Sequence, residues 1–261
     1  MRSSQDLVDK AALLLSLHVP GRPVVLPNAW DATSALVFAE AGSAAIATSS
    51  GAIANSLGYD DGEHIPRDDM FAAIERVTRA VEIPTTADVE RGYRLPADEL
   101  IARLLDAGAV GCNLEDSDPK TGQLADCDEQ AAWLGAVRAS SDAGAVPIVL
   151  NARVDVHFRE WGDPDERLAE AVRRARRYRE AGADCVYPLG LADPADIDQF
   201  VSAVDAPVNI AFRPRGPSFG QLASMGVARV TFGPGLHLAA KSWLTSLAAR
   251  LIEGEDPYSF S

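Results

Sequence analysis

Apolar and polar positions along this chain come in blocks. Four short apolar runs open just after a proline: "RPVVLPNAW" after Pro23, "EIPTTAD" after Pro84, "VPIVLNARVD" after Pro147 and "APVNIAF" after Pro207. Between them fall four more that open just after a glycine: "EAGSAAIATSS" after Gly42, "DAGAVGCNLED" after Gly108, "EAGADCVYP" after Gly182 and "SMGVARVTFG" after Gly226. Glycine in such a place stops a helix, because it takes the left-handed conformation without steric cost. Proline can open a strand but cannot continue a helix. The segments between, "DDMFAAIERVTRAV", "ADELIARLLDAG", "EQAAWLGAVRAS" and "DERLAEAVRRARRYREAG", repeat their apolar residues at helical spacing.

Strand and helix therefore alternate eight times. The strands are short and apolar without alternation, as expected of a parallel sheet covered on both faces. Eight such units in 261 residues predict a (β/α)8 TIM-type barrel, with an open doubly wound sheet as the alternative. No linker or low-complexity stretch divides the chain, so residues 1–261 read as one domain. Asp6, Asp9 and Lys10 punctuate the segment from Met1 to Leu17, which reads as an amphipathic helix instead of a signal peptide.

Composition narrows the partners. A formal net charge of −14 argues against sequence-independent binding to nucleic acid or to an anionic membrane surface. An anionic substrate then needs a local cation. No run approaches the roughly 18 apolar residues of a membrane span. Cys112, Cys127 and Cys185 are odd in number and far apart, which disfavours a disulfide framework and makes a reducing cytoplasm the default.

In a barrel of this kind chemistry sits at the carboxyl ends of the strands. Strand 1 is followed by Asn28, Trp30 and Asp31, and strand 2 by Thr48, Ser49, Ser50 and Gly51. Strand 3 ends in Asp88 and Glu90, strand 4 in Glu115 and Asp116, strand 5 in Asn151, Arg153 and Asp155, and strand 7 in Asn209. Strand 6 departs, ending in Tyr187, Pro188 and Leu189. Acids from adjacent strands converging on one mouth suit a hard divalent cation such as Mg2+, which commonly takes one or two direct carboxylates and keeps several waters. The four histidines lack HxxxH spacing and the cysteines lack CxxC, so softer metals fit less well. The bland alternative is that these acids cap helices or pair with Arg91 and Arg153. "SSGAIA" offers small residues whose N–H groups and hydroxyls can hold a carboxylate or phosphate, or it is a plain turn. The polar stretch "DSDPKTGQLADCD", with Lys120 near its middle, is a candidate lid over the mouth or an idle surface loop.

From about Val24 to Phe232 the chain resembles the isocitrate lyase and phosphoenolpyruvate mutase superfamily, closest in kind to its carboxyphosphonoenolpyruvate phosphonomutase-like members. The likeness rests on "LPNAWDATSA", the Ser-Gly stretch followed by "SLGYDD", the acids before Gly92-Tyr93, "NLEDSDPKTG", "NARVD" and "PVN". It implies a modified barrel that binds Mg2+ and a 2-oxo acid or its enolate, breaks or forms C–C or P–C bonds, and assembles as a homotetramer whose last helix is exchanged between neighbours. By position, Asp88 resembles the direct Mg2+ ligand, with Asp61, Glu90 and Glu115 reaching the metal mainly through water. Ser49, Ser50 and Gly51 resemble the carboxylate cradle, and Trp30 of the first motif joins the substrate-binding set. Arg153 resembles the arginine on substrate oxygens, Asn209 a substrate-side amide, and Lys120 the lysine of the gating loop; Arg153, Lys120 and Glu115 form the expected catalytic set. The segment "LHLAAKSWLTSLAARLI" is apolar enough to be the exchanged helix, and an ordinary eighth barrel helix explains it equally well.

Two departures bear on the reaction. Lyases of the group place a cysteine in a Lys-Lys/Arg-Cys-Gly-His loop where this chain reads Lys120-Thr121-Gly122-Gln123, and phosphonomutases have an asparagine where Gly122 stands. At the end of strand 6, where mutases tend to have His and lyases Glu, this chain aligns Leu189. The reading that follows is Mg2+-assisted cleavage next to a 2-oxo acid through an enolate: decarboxylation, hydrolysis or C–C lysis of an oxaloacetate-like substrate. A phosphonomutase or P–C hydrolase acting on a phosphonopyruvate-like substrate is the first alternative. A 2-oxo acid binding protein without turnover is the second.

Overall fold

Each of the eight apolar runs forms a strand in the computed structural model, which describes residues 4–256 and 258. Met1 to Ser3 of the expected first helix, and residues 257 and 259–261 of the expected domain span, lie outside the described residues. In chain order the strands are β1 Val24–Val25, β2 Asn28–Ala29, β3 Ile46–Thr48, β4 Thr85–Asp88, β5 Gly111–Leu114, β6 Val149–Val154, β7 Cys185–Pro188, β8 Asn209–Ala211 and β9 Arg229–Thr231. The helices are α1 Ser4–Ser16, α2 Ala32–Glu40, α3 Ser50–Ser56, α4 Arg67–Ala80, α5 Ala97–Asp106, α6 Cys127–Ala143, α7 Arg167–Glu180, α8 Pro194–Ala203, α9 Phe219–Ser224 and α10 Gly235–Ile252.

All pairings between these strands are parallel, and they close on themselves. The larger sheet runs β2-β3-β4-β5-β6-β7 and the smaller β1-β9-β8. β1 and β2 are two halves of one strand: Val24 and Val25 pair with β9, whereas Asn28 and Ala29 pair with β3. On the other side a parallel bridge between Val186 and Val208 joins β7 to β8. Eight strands thus form a closed barrel, which leaves no sheet edge exposed. The open-sheet alternative is set aside by this closure.

The chain plugs one end of the barrel and leaves the other for chemistry. Along α1, Leu7, Ala11 and Leu14 fall at helical spacing and bury against Leu26, Ala45, Val110 and Val146, residues at or before the starts of the strands. A Cβ on Gly111 would come within 2.9 Å of Leu14 Cδ2, so glycine there lets the helix seat. The main core lies between strands and outer helices, with Met70, Ile74, Leu100, Leu104, Leu134 and Phe200 inward. The barrel lumen is polar in part: Arg229 is fully buried and its Nη2 donates to Asn113 Oδ1 at 3.2 Å, beside Asn151 Nδ2 on the same oxygen at 2.8 Å.

α10 is not packed like the other barrel helices. It contains no buried residue, and Leu238, Leu244 and Ile252 stand 53%, 58% and 88% exposed. No helix among the described residues is long and apolar enough to cross a membrane. The three cysteines are buried and free.

Candidate active site

A cavity of about 540 Å3 opens at the carboxyl ends of the strands. Asp61, Asp88, Glu90, Glu115 and Arg153 line it, as do Ser49, Ser50 and Gly51. Strand periodicity explains the aim of the side chains in and just past the strands. Successive residues point to opposite faces, so Asp88 and Glu90 share the cavity while Val89 turns into the core. Likewise Glu115 enters the cavity, and Asp116 turns away to accept from Tyr178 Oη at 2.7 Å and Arg174 Nη1 at 3.0 Å.

Asp88 closes β4, and its own N–H donates to Thr48 Oγ1 at 2.9 Å. One carboxylate oxygen, Oδ2, accepts from Ser50 N–H at 3.3 Å and Ser50 Oγ at 3.1 Å. The other, Oδ1, is buried and meets no donor among the described residues. A buried carboxylate oxygen without a donor costs free energy that a bound cation recovers. Ser49 caps α3, its Oγ accepting from Ala52 N–H at 3.3 Å. Gly51 leaves room for Asp61: a Cβ there would stand 2.8 Å from Asp61 Oδ2 and would displace that carboxylate.

Glu90 sits in the left-handed backbone region at φ 52°, a conformation that costs a non-glycine residue roughly 1–3 kcal/mol. It is held there on both sides. Its carbonyl accepts from Glu115 N–H at 2.9 Å, and its carboxylate accepts from Glu63 N–H at 2.7 Å and Tyr93 Oη at 3.2 Å. Burial, then the charges of Asp61 and Asp88, push the Glu90 carboxyl up to about 8. Asp61 keeps solvent contact at the mouth, yet partial desolvation and then the Asp88 charge raise its pKa as well.

Arg153 is packed among the acids and paired with two of them. Nη1 lies 2.7 Å from Glu115 Oε2, and Nη2 lies 3.0 Å from Asp155 Oδ2. These partners keep the guanidinium charged against the penalty of burial. Burial pushes Glu115 well above the ordinary carboxylate range against the pull of Arg153, with Asp155, Asp88 and Glu90 adding to it. The carboxylates therefore outnumber the local cations, which is the charge balance of a divalent-cation site. Among the described residues no three Asp, Glu, His or Cys side chains enclose such an ion together. A single direct carboxylate with outer acids acting through water is the arrangement these donors fit.

Three residues expected here lie outside the cavity lining. Trp30 packs edge-on against Phe38 and His237, with ring centroids 6.4 and 5.0 Å away. Asn209 is fully buried at the start of β8, deeper than the mouth, with its Oδ1 accepting from Thr231 Oγ1 at 3.2 Å. Lys120 is exposed on a tight loop whose turn is held by Asp118 Oδ1, which accepts from Lys120 N–H at 2.9 Å and Thr121 N–H at 2.8 Å. Its neighbour Pro119 reaches the cavity instead.

Other lining residues were not singled out by the sequence reading: Asn113, Phe158, Arg159, Phe212, Arg213 and Phe232. For Arg159 and Arg213 the usable signal was charge alone, since each stands a few residues beyond a strand end in an acidic chain.

A closed parallel barrel with acids and a buried arginine at its carboxyl end is the arrangement that the comparisons with known proteins place in a family of lyases, mutases and hydrolases. The chain belongs to the phosphoenolpyruvate phosphomutase family, whose model matches residues 14–252. It is 29% identical to 2-methylisocitrate lyase of Escherichia coli over 213 residues, covering 74% of this chain and 70% of that enzyme. A Burkholderia cenocepacia protein provisionally assigned as a phosphonomutase is 42% identical, with a TM-score of 0.87 over 92% of this chain and 99% of that one. A phosphonopyruvate hydrolase solved with oxalate and Mg2+ is 25% identical, with a TM-score of 0.80 over 98% of this chain and 89% of its own.

Proposed function

We propose that this protein is a Mg2+-dependent enzyme that cleaves the bond next to a 2-oxo acid through an enolate, acting on an oxaloacetate-like substrate. The observation that carries this reading is Asp88 Oδ1, a buried carboxylate oxygen without a donor on a cavity crowded with acids. Asp88 would hold the ion directly, with Asp61, Glu90 and Glu115 acting through water. Bound there, Mg2+ would supply fixed positive charge to the carboxylate and 2-oxo oxygens as negative charge develops.

The chain's own residues do the rest. Arg153, fixed by Glu115 and Asp155, presents a charged guanidinium to substrate oxygens at no reorganisation cost. Of the expected cradle, Ser49 offers a hydroxyl and Gly51 an N–H to the substrate carboxylate, whereas the N–H and Oγ of Ser50 are engaged by Asp88 Oδ2. The lid loop carrying Pro119 and Lys120 would exclude water when closed. Leu189 brings no acid or base to the mouth, which favours carbon dioxide as the leaving fragment because it departs without a proton, the enolate left behind taking its proton from solvent; attack of water on the 2-oxo carbon would instead expel an acetate carbanion that takes a solvent proton in the same way.

The likeness to the Burkholderia protein favours a second reading, P–C cleavage or mutation of a phosphonopyruvate-like substrate. Incubation with each compound plus Mg2+ separates them. Pyruvate with carbon dioxide, or acetate with oxalate, from oxaloacetate supports the first. Pyruvate with phosphate, or phosphoenolpyruvate, from phosphonopyruvate supports the second. Tight oxo-acid binding without product identifies a binding protein.

The assembly proposed is a homotetramer in which α10 crosses to a neighbour. The uncovered apolar surface of α10 supports it. Absent a disulfide, a cytoplasmic setting fits the three free thiols.

A further inference from the structure

Two arginines that line the cavity after β6, Arg153 and Arg159, differ in whether a carboxylate pairs with them. Arg153 is already engaged by Glu115 and Asp155. Arg159 lines the same cavity, donates from Nε to Ser117 Oγ at 3.1 Å, and has no carboxylate within ion-pair distance among the described residues. In a chain with a formal net charge of −14, a cavity-lining cation left without an acid is an anion receptor waiting for its ligand.

The surroundings prepare it for that role. Arg159 lies over the ring of Phe158 at 4.9 Å, and Arg153 lies over the same ring at 5.9 Å, so one aromatic side chain spaces the two guanidiniums. The backbone beneath is pinned. Arg159 N–H donates to Asp155 O at 2.8 Å, and Gly190 packs so closely that a Cβ on it would be 2.6 Å from Phe158 N. Leu189 adds no negative charge that would repel a second acid, and Arg213 lines the same cavity, also without an ion-pair partner among the described residues.

We propose that Arg159 is a specificity-determining residue that receives a second acid group of the substrate, one beyond the 2-oxo acid core. The cavity then selects 2-oxo acids bearing a further carboxylate or phosphonate over those with an uncharged tail. This rests on the 2-oxo acid reading above. The competing role is structural: through Ser117, and through Gly122, whose Cβ would lie 3.4 Å from Arg159 Nη1, the side chain also touches the lid loop.

Calorimetric titration of the full-length protein with Mg2+ present separates the two roles. Oxalate probes the core alone, 3,3-difluorooxaloacetate adds a second carboxylate, and phosphonopyruvate adds a phosphonate. Arg159→Gln should weaken one or both of the larger probes by roughly tenfold to a hundredfold and leave oxalate within about twofold, because one charge-assisted contact is lost. Arg159→Lys should recover part of that loss, and it serves as the test variant if the Gln form does not fold. Which larger probe suffers more identifies the second acid as carboxylate or phosphonate, and either supports the proposal. Equal weakening of all three probes assigns Arg159 to lid structure and overturns it, as does no weakening of any. Wild-type protein that binds none of the probes overturns the 2-oxo acid reading and this inference with it, whereas intact oxalate binding with indifferent variants overturns the inference alone.

Discussion

Arg153 and Asp155 face each other through two hydrogen bonds, Nε to Oδ1 at 3.1 Å and Nη2 to Oδ2 at 3.0 Å. The pair is fixed further because Asp155 N–H donates to Asp116 Oδ1 at 2.8 Å and Asp155 Oδ2 accepts from Ser117 Oγ at 2.7 Å. Asp155 thereby sets the plane in which the guanidinium meets the cavity. Asp155→Asn removes the charge and keeps the shape. Breaking one side of a buried ion pair costs about 3–5 kcal/mol. Urea denaturation should register a loss of that order, and turnover should fall at least tenfold; unchanged values in both would remove Asp155 from its positioning role.

Gly51→Ala should injure the site and spare the fold. The new methyl would fall 2.8 Å from Asp61 Oδ2, at the free end of a side chain that can swing aside. Gly51 lies in α3, where alanine is a better helix former. Melting temperature should stay within a few degrees, while Mg2+ affinity measured by titration should drop several-fold. Unaltered affinity would show that Asp61 takes no part in holding the ion.

Stability should depend on pH through Glu90. Its carboxyl rises from an ordinary 4.5 to about 8 in the fold, so the folded protein holds a proton that the unfolded chain gives up. A raised acid pKa means that stability falls as pH climbs between those two values. Metal-free protein should therefore melt at lower temperature at pH 8 than at pH 6, and saturating Mg2+ should shrink the difference by favouring the carboxylate. Glu90→Gln should reduce the slope of the metal-free profile without abolishing it, because the Asp61 and Glu115 carboxyls are raised as well; a profile identical to wild type would place the titration elsewhere.

α10 should govern assembly. Leu244 and Ile252 expose most of their side chains on a helix that has no fully buried residue. Leu244→Asp with Ile252→Asp should convert a tetramer to smaller species in sedimentation velocity, with the barrel's far-UV spectrum retained. A tetramer that survives both changes would assign the contact to another surface.

Much of the barrel was legible in the sequence because its punctuation is physical: prolines open strands and glycines end helices, and each of the eight runs so marked is a strand. Asp88, Glu90, Glu115 and Arg153 were legible for a related reason, since two-residue periodicity carries side chains past a strand end to the same face. The same alternation turns Asp116, one residue past Glu115, the opposite way, into Tyr178 and Arg174. It also brings Arg229 and Thr231 inward on either side of Val230, so Arg229 is buried in the lumen although it sits in the apolar run "VARVTFG". Direction fails where that periodicity stops. Lys120 and Arg159 lie on loops, where backbone turns held by Asp118 and Gly190 set the outcome and no sequence period reports them.

The central claim is that Asp88 is the anchor of a divalent cation. Equilibrium titration of Mg2+ into wild-type protein and into Asp88→Asn, followed by calorimetry, tests it most directly. The wild type should bind Mg2+ and the variant should bind it at least a hundredfold more weakly, with the fold retained. Equal affinity in the two proteins would contradict it.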